Sequence, residues 1–585
     1  MKHIKSAGIS RRSFVQGVGT TAIAGAAGMS LADLAIAKES KRYNILMIVT
    51  DQESYMPPSA LPAGYRLPGH DKLAADGVVF ENHQIASAVC TPSRSVIYTG
   101  QHIQNNGMFD NTNFPWSNDL STDIPTVGDL LRRQGYYTAY KGKWHLTDEF
   151  ETANDINMPT RILGEEMEEY GFSDYLGIGD MIAHTNGGYL HDGIIAATTK
   201  SWMRGKGKSL DAENKPWFMA VNLVNPHDVM YYNTDLPGQP AEQTINALMH
   251  MNHEPDSAQF RQQWDYALPE SRKQSVTGSG RPAAHLDYAD ARSALVGRVP
   301  NEDDRWQRLN NYYLNCIQSA DGHVLDILNE LEDVGMADNT IVIYTADHGE
   351  LGGAHGLSGK GAIAYREQNN VPFIVSHPGF KGGKRCKAVT SHVDIATTLV
   401  SMAGGNPAAE ANLHGKDISG VLADPEAASF DAVRPGALFN FNMFAYLDSE
   451  FLLNVSEFLR NGGSPAELQE KNWRPNLGNR GAIRTVYDGR YKFSRYFSPQ
   501  QHNTPRTIEE LFNNNDIEMF DLQSDPKEMN NLALDRRVNG ELMLAMNERL
   551  NALIELEVGE DNGQMLPGGP DANWTLDPSI GHLRM

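Results

Sequence analysis

The chain has 585 residues, 40% of them hydrophobic and 21% charged, a composition ordinary for a globular enzyme with room for one large domain and a smaller one. Its net charge of −23 excludes a nucleic-acid binder, which needs basic surface, and means that an anionic ligand must be drawn in by a local positive pocket. With only three cysteines (Cys90, Cys316 and Cys386) a disulfide framework is excluded as well.

Residues Ser10-Arg11-Arg12-Ser13-Phe14 resemble a twin-arginine export motif, and a run rich in glycine and alanine follows to Ala37. Ala35-Ile36-Ala37 has the small-x-small form of a signal-peptidase site, so residues 1–37 are expected to be a cleaved twin-arginine-type signal peptide. Such a run, with Asp33 inside it, is poor material for a membrane span. No later segment holds the roughly 18 uninterrupted apolar residues a span needs. The expected location is periplasmic or secreted, with no stable span after cleavage.

The mature chain opens on Tyr43–Val49, an apolar run of the kind found in buried parallel strands. Thr50-Asp51-Gln52 follows at once, which places a carboxylate at the strand's C-terminal end, where open α/β sheets bind ligands. A helix around Asp71–Asp76 and the run Val78-Val79-Phe80 lead to Cys90-Thr91-Pro92-Ser93-Arg94. Pro92 suits the first turn of a helix, and Gly100 is its expected stop. Cys90 then lies at the mouth of a helix, where free N–H groups favour anions, with Arg94 one turn on. A nucleophile, a helix N-terminus and a fixed cation together suit a tetrahedral oxyanion.

Gln101–Trp116 is polar and Asn-rich loop sequence, from which Asp110-Asn111 could reach back towards Cys90; a plain turn is the simpler reading. A helix over Thr126–Gln134 ends at Gly135. The strand Gly135–Tyr140 then leads to Lys143 and His145, whose alternation would let both point the same way from an extended segment. Trp217–Leu223 is another strand, followed by Asn225-Pro226-His227-Asp228. The polar stretch 236–300 reads as an insertion able to wall a site. Asp303–Leu331 is an amphipathic helix, with Cys316 on its apolar stripe. Thr340–Thr345 is a buried strand ending in Asp347-His348, ahead of a glycine-rich loop that carries Lys360. Four strand ends thus deliver Asp51/Gln52, Lys143/His145, His227 and Asp347/His348, which points to one shared sheet edge.

Cys90-Thr91-Pro92-Ser93-Arg94 matches the sulfatase signature, and Gly135–His145 matches the second signature of that family. The blocks Thr345–Glu350, His355-Gly356-Leu357, Lys360-Gly361, Ser391–Leu399, Asp488–Lys492 and Met519–Leu532 resemble its later landmarks in the same order. Over about residues 42–535 the chain therefore resembles the formylglycine-dependent sulfatases of the alkaline-phosphatase superfamily. The resemblance implies an α/β fold: a large mixed sheet flanked by helices, and a smaller C-terminal antiparallel sheet. It divides the mature chain into a catalytic domain, 38–475, and a C-terminal subdomain, 476–585.

It further implies that Cys90 is converted to formylglycine by a formylglycine-generating enzyme before export. A divalent metal, calcium by the family's habit, with Mg2+ and Mn2+ as alternatives, would be held by Asp51, Gln52, Asp347, His348 and modified Cys90. The implied catalytic set is Cys90, Arg94, Lys143, His145, His227 and Lys360, acting on a sulfate ester, with Asn111 as a substrate contact. Two positions depart from the commonest pattern: Gln52 replaces an aspartate and His348 an asparagine. That pair is similar to the choline-sulfatase and phosphonate-monoester-hydrolase branches, and it leaves the metal open, since oxygen ligands suit calcium and imidazole suits transition metals. The competing functions are phosphonate or phosphodiester hydrolysis on the same scaffold, and binding of a sulfated ligand without catalysis.

Overall fold

Eight residues with no exposed position form β1 (Asn44–Asp51), and their alternation feeds both faces of the main sheet. Ile45, Met47 and Val49 join one core with Ile97, Tyr98, Leu131 and Leu399. Leu46 and Ile48 join the other, with Ala320, Val324, Ile327 and Leu331 of the long helix Asp303–Asp333. A strand covered on both faces must be apolar throughout, which is why this run has no polar alternation. The computed structural model describes residues 42–563, apart from 115–116, 148–149, 151–163, 176–184, 411, 465–466 and 468–474. The expected signal peptide, 1–37, lies outside the described residues.

The main sheet has seven strands in the order β3–β4–β1–β5–β6–β2–β7. They are β2 (Val78–Gln84), β3 (Tyr137–Gly142), β4 (Trp217–Pro226), β5 (Thr340–Ala346), β6 (Phe373–Ser376) and β7 (Lys384–Ser391), together with β1. β3, β4, β1 and β5 are consecutive and parallel, so the four strand ends marked in the sequence share one edge. β6 runs antiparallel between β5 and β2, which makes the sheet mixed.

A second sheet of four antiparallel strands follows the order β11–β10–β9–β8: β8 (Ala437–Phe441), β9 (Ala482–Tyr487), β10 (Tyr491–Phe497) and β11 (Asn515–Asp521). It packs Leu438, Val486, Phe493 and Met519 against Met543, Met546, Leu550 and Leu553 of the helix Arg536–Glu557. Its first strand lies upstream of residue 476, the expected start of the C-terminal subdomain. Only pairing with β9, some forty residues on, marks β8 as part of this sheet. The buried Arg434 guanidinium donates to Asp394 at 2.9 Å and to Glu557, so it ties the C-terminal helix to the helix Val393–Met402 of the main layer.

The edge that matters is held by a close backbone approach. Gly142, at φ 90°, lies so near β4 that a Cβ there would stand 2.0 Å from the Asn222 carbonyl oxygen. The next residue, Lys143, donates its N–H to that same carbonyl at 3.1 Å. Gly142→Ala combines a left-handed backbone with a steric clash and is expected to cost about 2–4 kcal/mol, read from the shift of a urea unfolding midpoint.

Candidate functional site

Cys90 opens the helix α1 (Cys90–Thr99), all of whose residues are buried, and Gly100 at φ 67° ends it as expected. Two loops close on the helix mouth through Thr91: its hydroxyl donates to the His145 carbonyl at 2.7 Å, and its N–H donates to Asn111 Oδ1 at 3.2 Å. Asn111 therefore reaches back to Thr91, the residue after Cys90, while Asp110 accepts the N–H groups of Asn111 and Ala445. Burial and then the Asp51 carboxylate push the Cys90 thiol up to about 11, which leaves it un-ionised at neutral pH and a poor nucleophile.

Arg94, one turn along α1, spans the ends of two strands. Its Nε donates to Asp347 Oδ2 at 2.9 Å and its Nη2 to Asp51 Oδ2 at 3.2 Å. Nη1 donates to the Lys143 carbonyl and to Asn222 Oδ1, both at 3.1 Å. Lys143 Nζ lies 2.7 Å from Asp51 Oδ2, and Lys360 Nζ lies 3.7 Å from Asp51 Oδ1. Burial alone would raise the Asp51 carboxyl, but Lys143, Lys360 and Arg94 outweigh it and hold it well below the usual carboxylate range. At Asp347, burial and the Asp51 charge win over Arg94 and push the carboxyl up to about 7. Three cationic side chains thus meet two carboxylates, the local positive pocket that a chain of net charge −23 needs for an anion.

The donor set fits a metal ion. Ligand atoms of Asp51, Cys90, Asp347 and His348 all lie within 4.8 Å of one another, and all four residues are buried. His348 Nε2 is 3.3 Å from Cys90 Sγ, 3.5 Å from Asp347 Oδ1 and 3.7 Å from Asp51 Oδ1. Its Nδ1 stands 3.2 Å from the Gly349 carbonyl, which assigns the proton to Nδ1 and leaves the Nε2 lone pair facing the carboxylates. Burial, then Lys360, keeps this imidazole well below its usual pKa and so neutral. A lone pair aimed at two carboxylate oxygens repels them unless a cation lies between. Gln52 turns through φ 77°, which carries its N–H to Asp347 Oδ1 at 3.0 Å and its amide oxygen to Lys360 Nζ.

The remaining candidates come to the same edge. His227 follows Pro226, the residue paired with Asp51 in the β1–β4 register, and its ring meets Tyr231 edge-on at 5.7 Å. Burial, then Lys360 and Lys143, keeps it neutral. His145 is also kept neutral, by burial and then by Lys143 and Arg94. The segment carrying it is not extended: His145 adopts φ 58°, a turn that sequence alternation could not anticipate. The 236–300 insertion reaches the site through its helix Ala284–Val296, where Tyr288 donates to the Ser358 carbonyl at 2.6 Å and Arg292 to Ser358 Oγ at 3.1 Å. Cys316 and Cys386 are simply buried among apolar neighbours.

Two supporting residues escaped the sequence reading. Asn222, inside the apolar β4, accepts from both Arg94 and Tyr98, and one buried amide in an apolar strand was its only signal. Glu350 accepts from Gln52 Nε2 at 2.6 Å; it stands in the Asp347–Glu350 block but nothing local marks its target.

A family model described as Sulfatase matches residues 43–405. The chain belongs to the sulfatase family. Over 564 residues this sulfatase is 26% identical to an N-acetylglucosamine-6-O-sulfatase from Bacteroides thetaiotaomicron, with 86% of each chain covered. A solved protein in complex with its substrate, D-glucosamine-2-N,6-O-disulfate, shares the fold at a TM-score of 0.57 and 19% identity, over 89% of this chain and 99% of that one. The phosphonate monoester hydrolase of Agrobacterium radiobacter shares it at a TM-score of 0.59 and 20% identity, over 88% and 95%. The family makes the protein a hydrolase of sulfate esters and implies a divalent metal, for which the buried Asp51–Cys90–Asp347–His348 cluster is suited.

Arg94→Lys tests the clamp. An ammonium is a point charge and cannot bond both carboxylates along one plane. The sulfatase carrying it is expected to lose roughly 10²-fold in turnover and to retain less metal after dialysis, measured by elemental analysis beside a sulfate-ester assay.

Proposed function

We propose that Cys90 is converted to formylglycine and that the groups around it hydrolyse a sulfate monoester to an alcohol and inorganic sulfate. The observation that carries this reading is the setting of Cys90, at a helix mouth and 3.3 Å from His348 Nε2, beside the Arg94–Asp51–Lys143 cluster. A thiol held near 11 has little use there as a nucleophile. The formyl group, once hydrated, supplies two hydroxyls: one attacks sulfur, and the other loses its proton and expels sulfate as the carbonyl re-forms. A divalent cation held by Asp51, Gln52, Asp347, His348 and residue 90, calcium in our reading, would lower the pKa of a hydroxyl at that position.

The chain's own residues do the rest. Lys143, Lys360 and His227 stabilise the sulfuryl oxygens as charge moves to the leaving group, and the departing alcohol takes its proton from Lys360, or from His227 once the anionic substrate has raised that imidazole from its neutral state. His145, neutral in its buried place, takes the proton from the second hydroxyl. Asn111 spends its oxygen on Thr91 and keeps its NH2 for the substrate. Oxidation of Cys90 requires an accessible, unfolded motif, which puts a formylglycine-generating enzyme ahead of twin-arginine export to the periplasm. The likeness to an N-acetylglucosamine-6-O-sulfatase makes sugar sulfates the substrate class to test first.

The rival on the same scaffold is a phosphonate or phosphodiester hydrolase. It is favoured by the Gln52/His348 pair, and the placed Lys143 and His145 speak for the sulfatase side. Matched sulfate and phosphodiester esters should therefore be turned over with a clear preference for sulfate; the reverse preference would replace the reading. Peptide mass from the native host should show position 90 about 18 Da lighter than a thiol. In Cys90→Ser only one hydroxyl is available, so a sulfated peptide is expected to accumulate while steady turnover stops. Normal turnover by that variant would remove the two-hydroxyl mechanism.

A further inference from the structure

We propose that Glu350 is a positioning residue for the reaction, fixing which face of the Gln52 amide is turned to Lys360. An amide has an accepting and a donating end, and a carboxylate only accepts. Gln52 Nε2 donates to Glu350 Oε2 at 2.6 Å, and Gln52 Oε1 accepts from Lys360 Nζ. Turned over, the amide would set oxygen against carboxylate and NH2 against ammonium, two repulsive contacts between buried side chains. Glu350 thereby makes the oxygen-inward orientation the only satisfied one.

The carboxylate cannot swing away from this task. Its other oxygen accepts the N–H of Gly352 at 2.9 Å and that of Gly359 at 2.6 Å. Its own N–H donates to Ser54 Oγ at 2.9 Å, and the residue is 3% exposed. Gly359 directly precedes Lys360, so a single carboxylate fixes both the amide and the loop that delivers the ammonium. Gln52 and Glu350 are 298 residues apart, one beyond β1 and one beyond β5, and their bond locks those strand ends together. Glu350 touches no reacting atom; it acts through Gln52 and Lys360. The inference rests on the role given to Lys360 under the proposed function.

The test is a reversal of the hydrogen bond's polarity. Glu350→Gln keeps an oxygen for the two glycine N–H groups but turns a donor towards Gln52, which favours the flipped amide. We expect kcat to fall about tenfold or more with KM little changed, and metal retention after dialysis to fall with it. Gln52→Glu alone puts two carboxylates at the contact and should be similarly impaired. The double variant Gln52→Glu/Glu350→Gln restores a donor–acceptor pair, still with an oxygen facing Lys360, and should recover kcat to within about fivefold of the parent.

A double variant that melts like the parent yet stays as slow as the single variants overturns the inference, because a role limited to pinning Gly352 and Gly359 predicts no such recovery. Should the double variant not fold, the same question is put on a Gln52→Ala background. There Glu350→Gln should cost nothing further, and an additional tenfold loss overturns the inference. A parent enzyme inactive on every sulfate ester would defeat the functional reading instead; metal retention across the same variants still decides the role of Glu350.

Discussion

The Arg94 guanidinium, held between Asp51 and Asp347, is the interaction on which the rest of the site depends. β1 and β5 are neighbouring parallel strands, so the carboxylates at their ends necessarily arrive close together. Two buried carboxylates at such a distance oppose each other, and burial first, then the Asp51 charge, raises the Asp347 carboxyl. A planar guanidinium can bond both at once, and it comes from α1, the helix whose first residue is Cys90. Placement of the nucleophilic position and placement of the carboxylates are thereby one and the same constraint.

Such a cluster is expensive in a protein interior, since desolvating charges can outweigh their mutual attraction. Here the members are interlocked, and few could be replaced alone. Lys143 bonds Asp51 with its ammonium while its carbonyl accepts from Arg94. Asn222 takes Arg94 and Tyr98 together, and its backbone carbonyl receives the N–H of Lys143. The neutral amide at position 52 belongs to the same logic: a carboxylate there would face Glu350 at a distance where only a donor is tolerated. What the arrangement secures is a positive, preorganised pocket in a strongly acidic molecule, built for charge that develops during reaction.

Elements remote in sequence brace this pocket from outside the main sheet. The 236–300 insertion supports the loop before Lys360 through Tyr288 and Arg292, so changes in the insertion would be felt at the ammonium. Arg434 joins the C-terminal helix to the main layer through a fully buried bridge. The small sheet also braces the approach to Cys90: Ser87 Oγ donates to the Asn440 carbonyl of β8 at 2.7 Å, and the Asn440 N–H donates to the Ala86 carbonyl at 2.9 Å.

Much of the site was legible in the sequence because of a rule about buried sheets. Parallel strands covered on both faces must be apolar, and ligands gather at their C-terminal edge, so apolar runs ending in Asp51-Gln52, Lys143, His227 and Asp347-His348 announced themselves. Helix chemistry placed Cys90 and Arg94 for the same reason: a proline in the first turn and a glycine at the stop are local signals. What the sequence could not determine was every choice made by distant contacts. The pairing of β8, the left-handed turn at His145, the demand for glycine at 142 and the partner of Glu350 all depend on backbone or side chains far along the chain. Local propensity carries no record of those neighbours; only the folded sheet brings them into contact.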